Sequence, residues 1–513
     1  MDKQLPKFLL NPYFLMIFTI ILKVPVFFAK HIQEDSFITW RVARNLLDYG
    51  VIGFNGEERI SASTTHLYVL ISAIFQLAFD DFFIYPLLIF SCILFFIGSW
   101  WLAKILFRKN KPNRALFVVF LNMVPPAITA SCLGMEYGIL FFLYNALLYF
   151  GLYKRKNWAF ILFPILLLWT RIDAVIFLGV IFIADFIIRK KINFAFILGG
   201  FLGMVTVVAF NWMYFGELVN HTITAKKIAY KNLAQNNSIE FLLYQWAYYG
   251  GLIKKYSLFT LLFFLGFLVF LGFVLRKIIQ DQSRISPKTK IILLSVIAFA
   301  LLKITVFAFM KAYFDWYYWL PRVFLFAGVI YFLLSYLSLP KHVLAPSLFI
   351  LMIGFYVFQL LQSFTIGYME DSQRMKIARE IGRSNAPLEQ SIFLEPAGII
   401  PFFTGLYTYD EVGLVNEKIT DEMLKDEKFW WMNSVRDFQP DYILTVKYQP
   451  GDGKSYYAMK PEDQSYFESR YQLVRKYPIA EIHRNAPEIL KMIYEIRPIG
   501  KDYYLYKKVL SDD

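Results

Sequence analysis

Apolar segments close to the length of a lipid bilayer recur along most of this chain. The first covers residues 8–29, and the others lie at 82–107, 115–133, 136–153, 159–170, 174–188, 192–212, 256–275, 291–310, 323–338 and 342–362. A helix needs about 20 apolar residues to cross the hydrocarbon core. The sequence is 58% hydrophobic and 19% aromatic, which is more apolar surface than the interior of a soluble fold can hide. These features predict a polytopic α-helical membrane protein with about 11 transmembrane helices.

The basic residues predict the orientation of these helices. The net charge is +14, and many Lys and Arg side chains lie in short loops that contain almost no acids. These loop residues include Lys3, Lys7, Arg108, Lys109, Lys111, Arg114, Lys154, Arg155, Lys156, Arg189, Lys190, Lys191, Arg276, Lys277, Arg284, Lys288, Lys290 and Lys341. Short basic loops face the cytoplasm in membrane proteins. We therefore expect an inner (plasma) membrane protein with a cytoplasmic N-terminus and no nucleic-acid partner.

The apolar segment 65–79 leaves two topologies open. If it crosses the membrane, the clusters at 108–114 and 154–156 move to the outer side. If it lies in the membrane interface or dips in and out, every basic cluster stays inside, and the charge rule favours this choice.

The composition changes after residue 363 and predicts a second domain. Residues 441–446 and 503–506 have strand patterns, whereas 423–437 and 487–494 have helical ones. We expect a transmembrane domain at 1–365, with outer loops at 30–64 and 213–255. We expect an extracytoplasmic soluble α/β domain at 366–513.

Ionisable groups at membrane depth are costly and usually functional, and the topology above collects the remaining polar groups on the outer side. They come from the loop 30–64, from Gly134–Glu136, from Arg171–Asp173, from the loops 213–255 and 311–322, and from the tail. This arrangement predicts a single extracytoplasmic site. The alternative is unrelated loop residues and interfacial anchors.

Five short motifs on that side resemble the GT-C superfamily of integral-membrane glycosyltransferases, and the arabinofuranosyltransferase-like branch in particular. They are Glu34-Asp35 with Trp40–Leu46; Phe54–Glu57 with Ser63-Thr64-Thr65; Gly134-Met135-Glu136; Thr170-Arg171-Ile172-Asp173-Ala174; and Tyr214–Thr222 with Ala225-Lys226. The chain departs from the family pattern where Ile172 and Ala174 replace Pro and Gly. It also departs where a Pro is missing and His221 is inserted after Asn220.

The resemblance implies transfer of a sugar, with inversion, from a polyprenyl-phosphate donor to a cell-envelope acceptor, which is a glycan, a lipid or a protein. The family places its general base in the acidic pair, so the resemblance implies Asp35 as the base and Glu34 as the alternate or a positioning group. From the residues alone, acids at this place are equally typical of a helix N-terminus, where the helix dipole favours them.

The departing phosphate needs cationic groups. The candidates are Arg41, Arg44, Arg171, Lys226 and Arg322. Each is also typical of an interfacial anchor or an ion-pair partner. We expect Arg171→Ala and Lys226→Ala each to weaken donor use with little loss of folding. Other predicted site-lining residues are Glu136, Asp173, Asn220 and His221.

No histidine spacing indicates a metal site, and no cofactor is required by the sequence. A divalent cation is nevertheless compatible with a site made by Glu34, Asp35, Glu136 and His221, because carboxylates bind hard cations. The main rival to a transferase is a multi-pass transporter or a flippase for lipid-linked sugars. Such proteins usually contain two similar halves with broken helices, and no such symmetry is present in this sequence.

Overall fold

The fold is described by a computed structural model that covers residues 6–231, 257–281, 283–310, 312, 314–337, 341–383, 389–446 and 458–509. The part of the predicted outer loop 213–255 that follows residue 231 lies outside these residues. By their contacts, the residues form two compact units. Unit 1 comprises Met1–Pro25, Leu87–Val207 and Ala234–Gln359, and unit 2 comprises Val26–Pro86, Val208–Leu233 and Leu360–Asp513.

Helices make up most of the described chain. As far as residue 231 they are α1 (Pro12–Ile21), α2 (Val24–Phe28), α3 (Glu34–Tyr49), α4 (His66–Phe79), α5 (Ile84–Leu106), α6 (Lys111–Met123), α7 (Pro125–Cys132), α8 (Tyr137–Ala146), α9 (Ala159–Thr170), α10 (Val175–Arg189), α11 (Phe194–Phe215) and α12 (His221–Ala229). A π-helical turn, Leu147–Tyr153, continues α8.

The helices that follow begin at residue 257. They are α13 (Ser257–Gln280), α14 (Pro287–Phe309), α15 (Trp319–Tyr336), α16 (Lys341–Ser372), α17 (Arg374–Ile381), α18 (Ile399–Thr404), α19 (Glu417–Lys425), α20 (Trp430–Phe438), α21 (Pro461–Arg470), α22 (Ile479–Arg484) and α23 (Glu488–Ile496). The strands are β1 (Ser391–Leu394), β2 (Tyr407–Asp410), β3 (Tyr442–Thr445), β4 (Tyr471–Tyr477) and β5 (Tyr503–Lys508).

Five described helices are long and apolar enough to cross a membrane, which confirms the coarse prediction of several membrane-length helices. They are Ile84–Leu106, Phe194–Phe215, Pro287–Phe309, Asp315–Tyr336 and Pro346–Ile381. The pair α6 and α7 would make a sixth, although it is bent by 71°. The count of about 11 crossings stays a prediction, because several of the predicted segments form shorter helices.

The first predicted segment, 8–29, shows why those helices are shorter. α1 ends at Ile21 and α2 begins at Val24, so the segment is broken near Lys23. The Lys23 side chain is buried and donates to Asn122 Oδ1 at 2.8 Å. The ambiguous segment 65–79 forms α4, whose 14 residues are fewer than a crossing requires.

Unit 1 has an aromatic core. The ring of Tyr144 on α8 lies 4.1 Å from that of Phe177 on α10. Phe177 in turn packs edge-on against Phe299 on α14 at 5.0 Å, and Phe299 against Phe324 on α15 at 5.8 Å. Rings from four helices therefore meet at one point, and such contacts add to the free energy gained by burying apolar area.

Unit 2 contains the sheet, with the strand order β2-β1-β3-β5-β4. β1 pairs in parallel with β2 and β3, whereas β5 pairs antiparallel with β3 and β4. The predicted strands at 441–446 and 503–506 are confirmed as β3 and β5, and the predicted helix at 487–494 as α23. The predicted helix at 423–437 is two helices, since α19 ends at Lys425 and α20 begins at Trp430.

The compact units divide the chain differently from the predicted domains at 1–365 and 366–513. Unit 2 joins the tail to residues 26–86 and 208–233. One buried apolar cluster shows the reason, because it contains Ile38 and Val42 of α3, Val69 of α4, and Ala397 and Val415 of the tail. The tail therefore shares this cluster with the predicted outer loop 30–64 and with α4, whereas a second buried cluster, which includes Ile392, Leu444 and Leu505, consists of tail residues alone.

Candidate functional site

The acidic pair lies in the first turn of α3. Glu34 is the first helical residue, and its Oε1 accepts backbone N–H groups from Gly398 and Ile399, each at 2.9 Å. These two N–H groups belong to the start of α18, where a helix leaves its first donors unpaired. Glu34 therefore caps a second helix, and its carboxylate is used to hold α18 against α3.

A basic side chain completes the environment of Glu34. Arg374 Nη1 lies 3.4 Å from Glu34 Oε2 and donates to Glu370 Oε1 at 2.8 Å. Burial raises the pKa of Glu34 to about 7, although Arg374 and the two backbone donors oppose this effect and Glu370 adds to it. Asp35 is the next residue along α3 and is partly exposed.

Arg41 has a different role from the one predicted. Its guanidinium is buried over the ring of Phe54, and its five N–H groups face five acceptors. These acceptors are the carbonyl oxygens of Phe54, Pro401 and Leu406, Thr408 Oγ1 and Asn55 Oδ1, at 2.6–3.5 Å. Arg41 has no donor left for a phosphate, so the prediction of a phosphate contact is corrected to a structural role.

Arg44 lies one turn further along α3 and remains available to a ligand. Its guanidinium lies 4.3 Å from the centre of the Phe402 ring, and Nη2 donates to Asp81 at 3.2 Å. The Asp81 side chain is 73% exposed, so this ion pair is a weak surface contact. A phosphate could replace Asp81 at small cost.

The segment that carries Asn220, His221 and Lys226 also belongs to unit 2. Asn220 is buried and donates to the carbonyl oxygen of Ser63 at 3.4 Å. The backbone N–H of His221 donates to Ser61 Oγ at 2.7 Å. These contacts connect the start of α12 to the loop after α3. Lys226 is partly exposed on α12.

His221 belongs to a group of metal-ligating side chains, together with Glu217 and Glu417. One donor atom from each residue lies within 4.8 Å of the others. Glu34, Asp35 and Glu136, which the sequence suggested beside His221, are not part of this group. Glu34 instead holds α18, and Glu136 lies in unit 1.

A buried cluster of four charges lies in unit 1. Arg171 donates from Nη1 to Glu136 at 2.5 Å, and from Nε and Nη2 to the two carboxylate oxygens of Asp173 at 3.1 Å. Lys303 of α14 donates to Asp173 at 3.2 Å. The formal charges of the four side chains sum to zero. The structure thus brings three of the predicted site residues together.

This cluster changes the expectation for Arg171→Ala. The Glu136 side chain is 2% exposed and that of Asp173 14% exposed, so removing Arg171 would leave both carboxylates buried with too little positive charge. Such a loss destabilises a protein by about 3–5 kcal/mol. For Arg171 we therefore now expect a loss of folding stability in addition to any loss of donor use.

Lys303 is the member of the cluster that the sequence prediction missed. It lies near the middle of the apolar segment 291–310, where an ionisable residue is usually functional and paired. That signal was present in the sequence. Its partner Asp173 could not be read from the sequence, because the two residues are 130 positions apart.

Arg322, the last predicted phosphate ligand, lies on α15 in unit 1. Its side chain is 6% exposed and donates from Nη1 to Asp315 at 2.7 Å. Asp315 also accepts from Trp319 Nε1 at 2.8 Å. Arg322 and Asp315 therefore connect the start of this helix to the turn before it, and Arg322 is an ion-pair partner, one of the alternatives that the sequence left open.

The predicted site residues are thus divided between the two units. Unit 2 contains Glu34, Asp35, Arg41, Arg44, Asn220, His221 and Lys226, and unit 1 contains Glu136, Arg171, Asp173 and Arg322.

These features define the class of the protein as mostly helical, with several membrane-length apolar helices and a small mixed sheet near the C-terminus. Residues 365–506 match a family described as Domain of unknown function (DUF8728). That segment starts within α16 and takes in most of the sheet. No curated protein matches the chain.

Proposed function

We propose that this protein is an inverting membrane glycosyltransferase. It moves a sugar from a polyprenyl-phosphate donor to a glycan, lipid or protein acceptor of the cell envelope, at the outer face of the membrane. The motifs at 34–65 and 214–226, which carry much of the family resemblance, both contribute to unit 2. The short basic loops between the apolar segments support the orientation.

The observation that carries the proposal is that one of the two adjacent acids is committed to the fold. Glu34 accepts two backbone N–H groups and pairs with Arg374, so its carboxylate holds the tertiary structure. Asp35 is the second residue of the same helix and is partly exposed. The commitment of Glu34 argues against Glu34 as the base and supports the assignment of the general base to Asp35 that the family resemblance implies.

The reaction follows from this assignment. The Asp35 carboxylate takes the proton from the acceptor hydroxyl as its oxygen attacks the anomeric carbon. The bond between that carbon and the phosphate oxygen breaks, and the polyprenyl phosphate leaves with the bonding electron pair. Because attack and departure occur on opposite faces of the sugar, the anomeric configuration is inverted.

The leaving phosphate needs positive charge, and unit 2 offers Arg44 and Lys226 for this purpose. Arg44 has only a weak, exposed partner in Asp81, and Lys226 is partly exposed. Each contact would stabilise the transition state by about 2–3 kcal/mol, the usual size for a hydrogen bond to a charged group. The predicted contacts by Arg171 and Arg322 stay predictions.

The test begins with identification of the donor. Full-length protein is purified in detergent, and polyprenyl-phosphate sugars that copurify are identified by mass spectrometry. Transfer from that donor is then measured in proteoliposomes for the wild type, Asp35→Asn, Glu34→Gln and Asp371→Asn. Asp371 is a matched control because it is an acid of the same unit that pairs with the exposed Lys30 and Arg379.

We expect Asp35→Asn to abolish transfer while donor binding survives, and Asp371→Asn to retain it. Glu34→Gln should transfer more slowly in proportion to its loss of stability. Normal transfer by Asp35→Asn, with transfer lost in a folded Glu34→Gln, would move the base to Glu34. Movement of the donor across the bilayer without sugar transfer would instead favour the flippase alternative.

A further inference from the structure

Three side chains of unit 2 form a site that the proposed reaction does not use. Glu217 lies in the segment between α11 and α12, His221 is the first residue of α12, and Glu417 is the first residue of α19. One donor atom from each lies within 4.8 Å of the others. Imidazole nitrogens and carboxylate oxygens are ligands that divalent metals share.

The hydrogen bonds of His221 determine which ring nitrogen faces this group. Nε2 lies 2.9 Å from the carbonyl oxygen of Gly413, which can only accept, so Nε2 carries a proton. In a neutral ring, Nδ1 then carries a lone pair and can only accept. The Nδ1 atom lies 3.4 Å from Glu217 Oε1. Two acceptors that face each other in this way need a proton or a cation between them.

A ring N–H donated to a backbone carbonyl is also the usual second contact of a metal-bound histidine, because it fixes the tautomer and the ring orientation. His221 is 4% exposed, so this orientation is held by its surroundings.

Glu217 supplies an independent observation. Its second oxygen, Oε2, is buried and has no hydrogen-bond partner among the residues that the structure describes. A buried carboxylate oxygen without a partner costs about 1–3 kcal/mol or more. A protonated His221 would satisfy Oε1 and leave Oε2 unpaired.

Glu417 brings a second negative charge to the same place. Two carboxylates in one site repel each other unless a proton or a cation is shared between them. One cation would neutralise both acids and occupy the lone pair of Nδ1.

We propose that Glu217, His221 and Glu417 bind one divalent cation of the zinc type. One imidazole and two carboxylates suit Zn²⁺, whereas Mg²⁺ and Ca²⁺ prefer sites made only of oxygen. Glu417 is exposed, so the ion can reach the site from solvent. The bound ion would fasten the segment before α12 to the start of α19.

The test measures metal binding and needs no sugar donor, so its outcome is independent of the proposed function. Full-length protein in detergent is stripped with a chelator and titrated with Zn²⁺ against a chromophoric competitor. The variants are Glu217→Gln, His221→Gln, Glu417→Gln, the triple variant, and Glu427→Gln as the control. Glu427 is a matched acid of the same unit that is 65% exposed and pairs with Lys231.

We expect one zinc ion per wild-type chain, the same affinity in Glu427→Gln, and a loss of at least about tenfold in each single variant. Zn²⁺ should also raise the Tm of the wild type but not of the triple variant, since a ligand stabilises only the state that binds it. Glu417→Gln changes an exposed residue, so it keeps the test valid if His221→Gln fails to fold.

Equal zinc binding by the wild type and the triple variant would overturn the site. Tighter binding of Mg²⁺ than of Zn²⁺ would overturn the assignment to a zinc-type ion.

Discussion

Arg41 Nη2 donates to the carbonyl oxygen of Leu406 at 2.7 Å, across 365 positions of sequence. This bond is one of five by which a buried guanidinium connects α3, the loop after it and the segment that runs from α18 into β2. Arg41, which the sequence suggested as a phosphate ligand, thus connects the loop after α3 to the C-terminal tail by hydrogen bonds.

Replacing Arg41 should therefore lower the stability of unit 2, and any effect on donor binding should follow from that loss. Arg41→Gln leaves several buried carbonyl oxygens without a donor, and we expect a loss of about 3 kcal/mol or more of unfolding free energy. Differential scanning fluorimetry in detergent measures this loss as a lower Tm. Arg59→Gln is the control, because Arg59 is exposed in the same loop and lies over the ring of Tyr214. Equal Tm values for the two variants would contradict the structural role of Arg41.

The stability of unit 2 should fall as the pH rises through neutrality. Burial raises the pKa of Glu34 from 4.5 to about 7, so the folded state holds a proton that the unfolded chain has released. The stabilisation that comes from the proton on Glu34 is complete below pH 4.5 and is lost as the pH rises through 7. A shift of this size corresponds to about 3 kcal/mol.

Thermal unfolding of the wild type and of Glu34→Gln between pH 4.5 and pH 8 checks this prediction. The Tm of the wild type should fall across that window. The Tm of the variant should fall less, because the glutamine side chain that replaces Glu34 does not titrate. A wild-type Tm that rises with pH while that of Glu34→Gln stays flat would reverse the sign of the effect.

The stability of unit 1 should depend on the net charge of its buried cluster and not on any single ion pair in that cluster. Arg171→Ala leaves Glu136 and Asp173 with only Lys303, and we expect about 3–5 kcal/mol of destabilisation. Adding Glu136→Gln to that variant removes the one negative charge that Lys303 leaves uncompensated, so the double variant should be more stable than Arg171→Ala alone. Chemical unfolding followed by tryptophan fluorescence compares the two.

Arg108→Ala is the control for this series, because Arg108 is exposed and its substitution should change stability by less than about 0.5 kcal/mol. If the double variant is less stable than Arg171→Ala, the two acids do not repel each other, and the cluster does not act as a balanced set.

The acidic pair shows how far reasoning from sequence could go. Two acids at the start of a helix indicated either a cap or a catalytic base, and the sequence left both open. In the structure Glu34 caps a helix, but that helix is α18, which lies 364 positions away. The sequence indicated a cap on the acids' own helix. It could not indicate that Glu34 caps a distant helix, because no local pattern encodes contacts between distant segments.

The sequence by itself determined the apolar helices, the mixed composition of the tail, and the strands β3 and β5. These properties depend on residues that are near each other in the chain: the length of an apolar run, its period, and the caps at its ends. Only the tertiary structure decided that Arg41 is structural, that Lys303 neutralises Asp173, and that Glu417 joins Glu217 and His221. The physical reason is that a buried charge must find its partner in space, and the partner is chosen by how the whole chain packs.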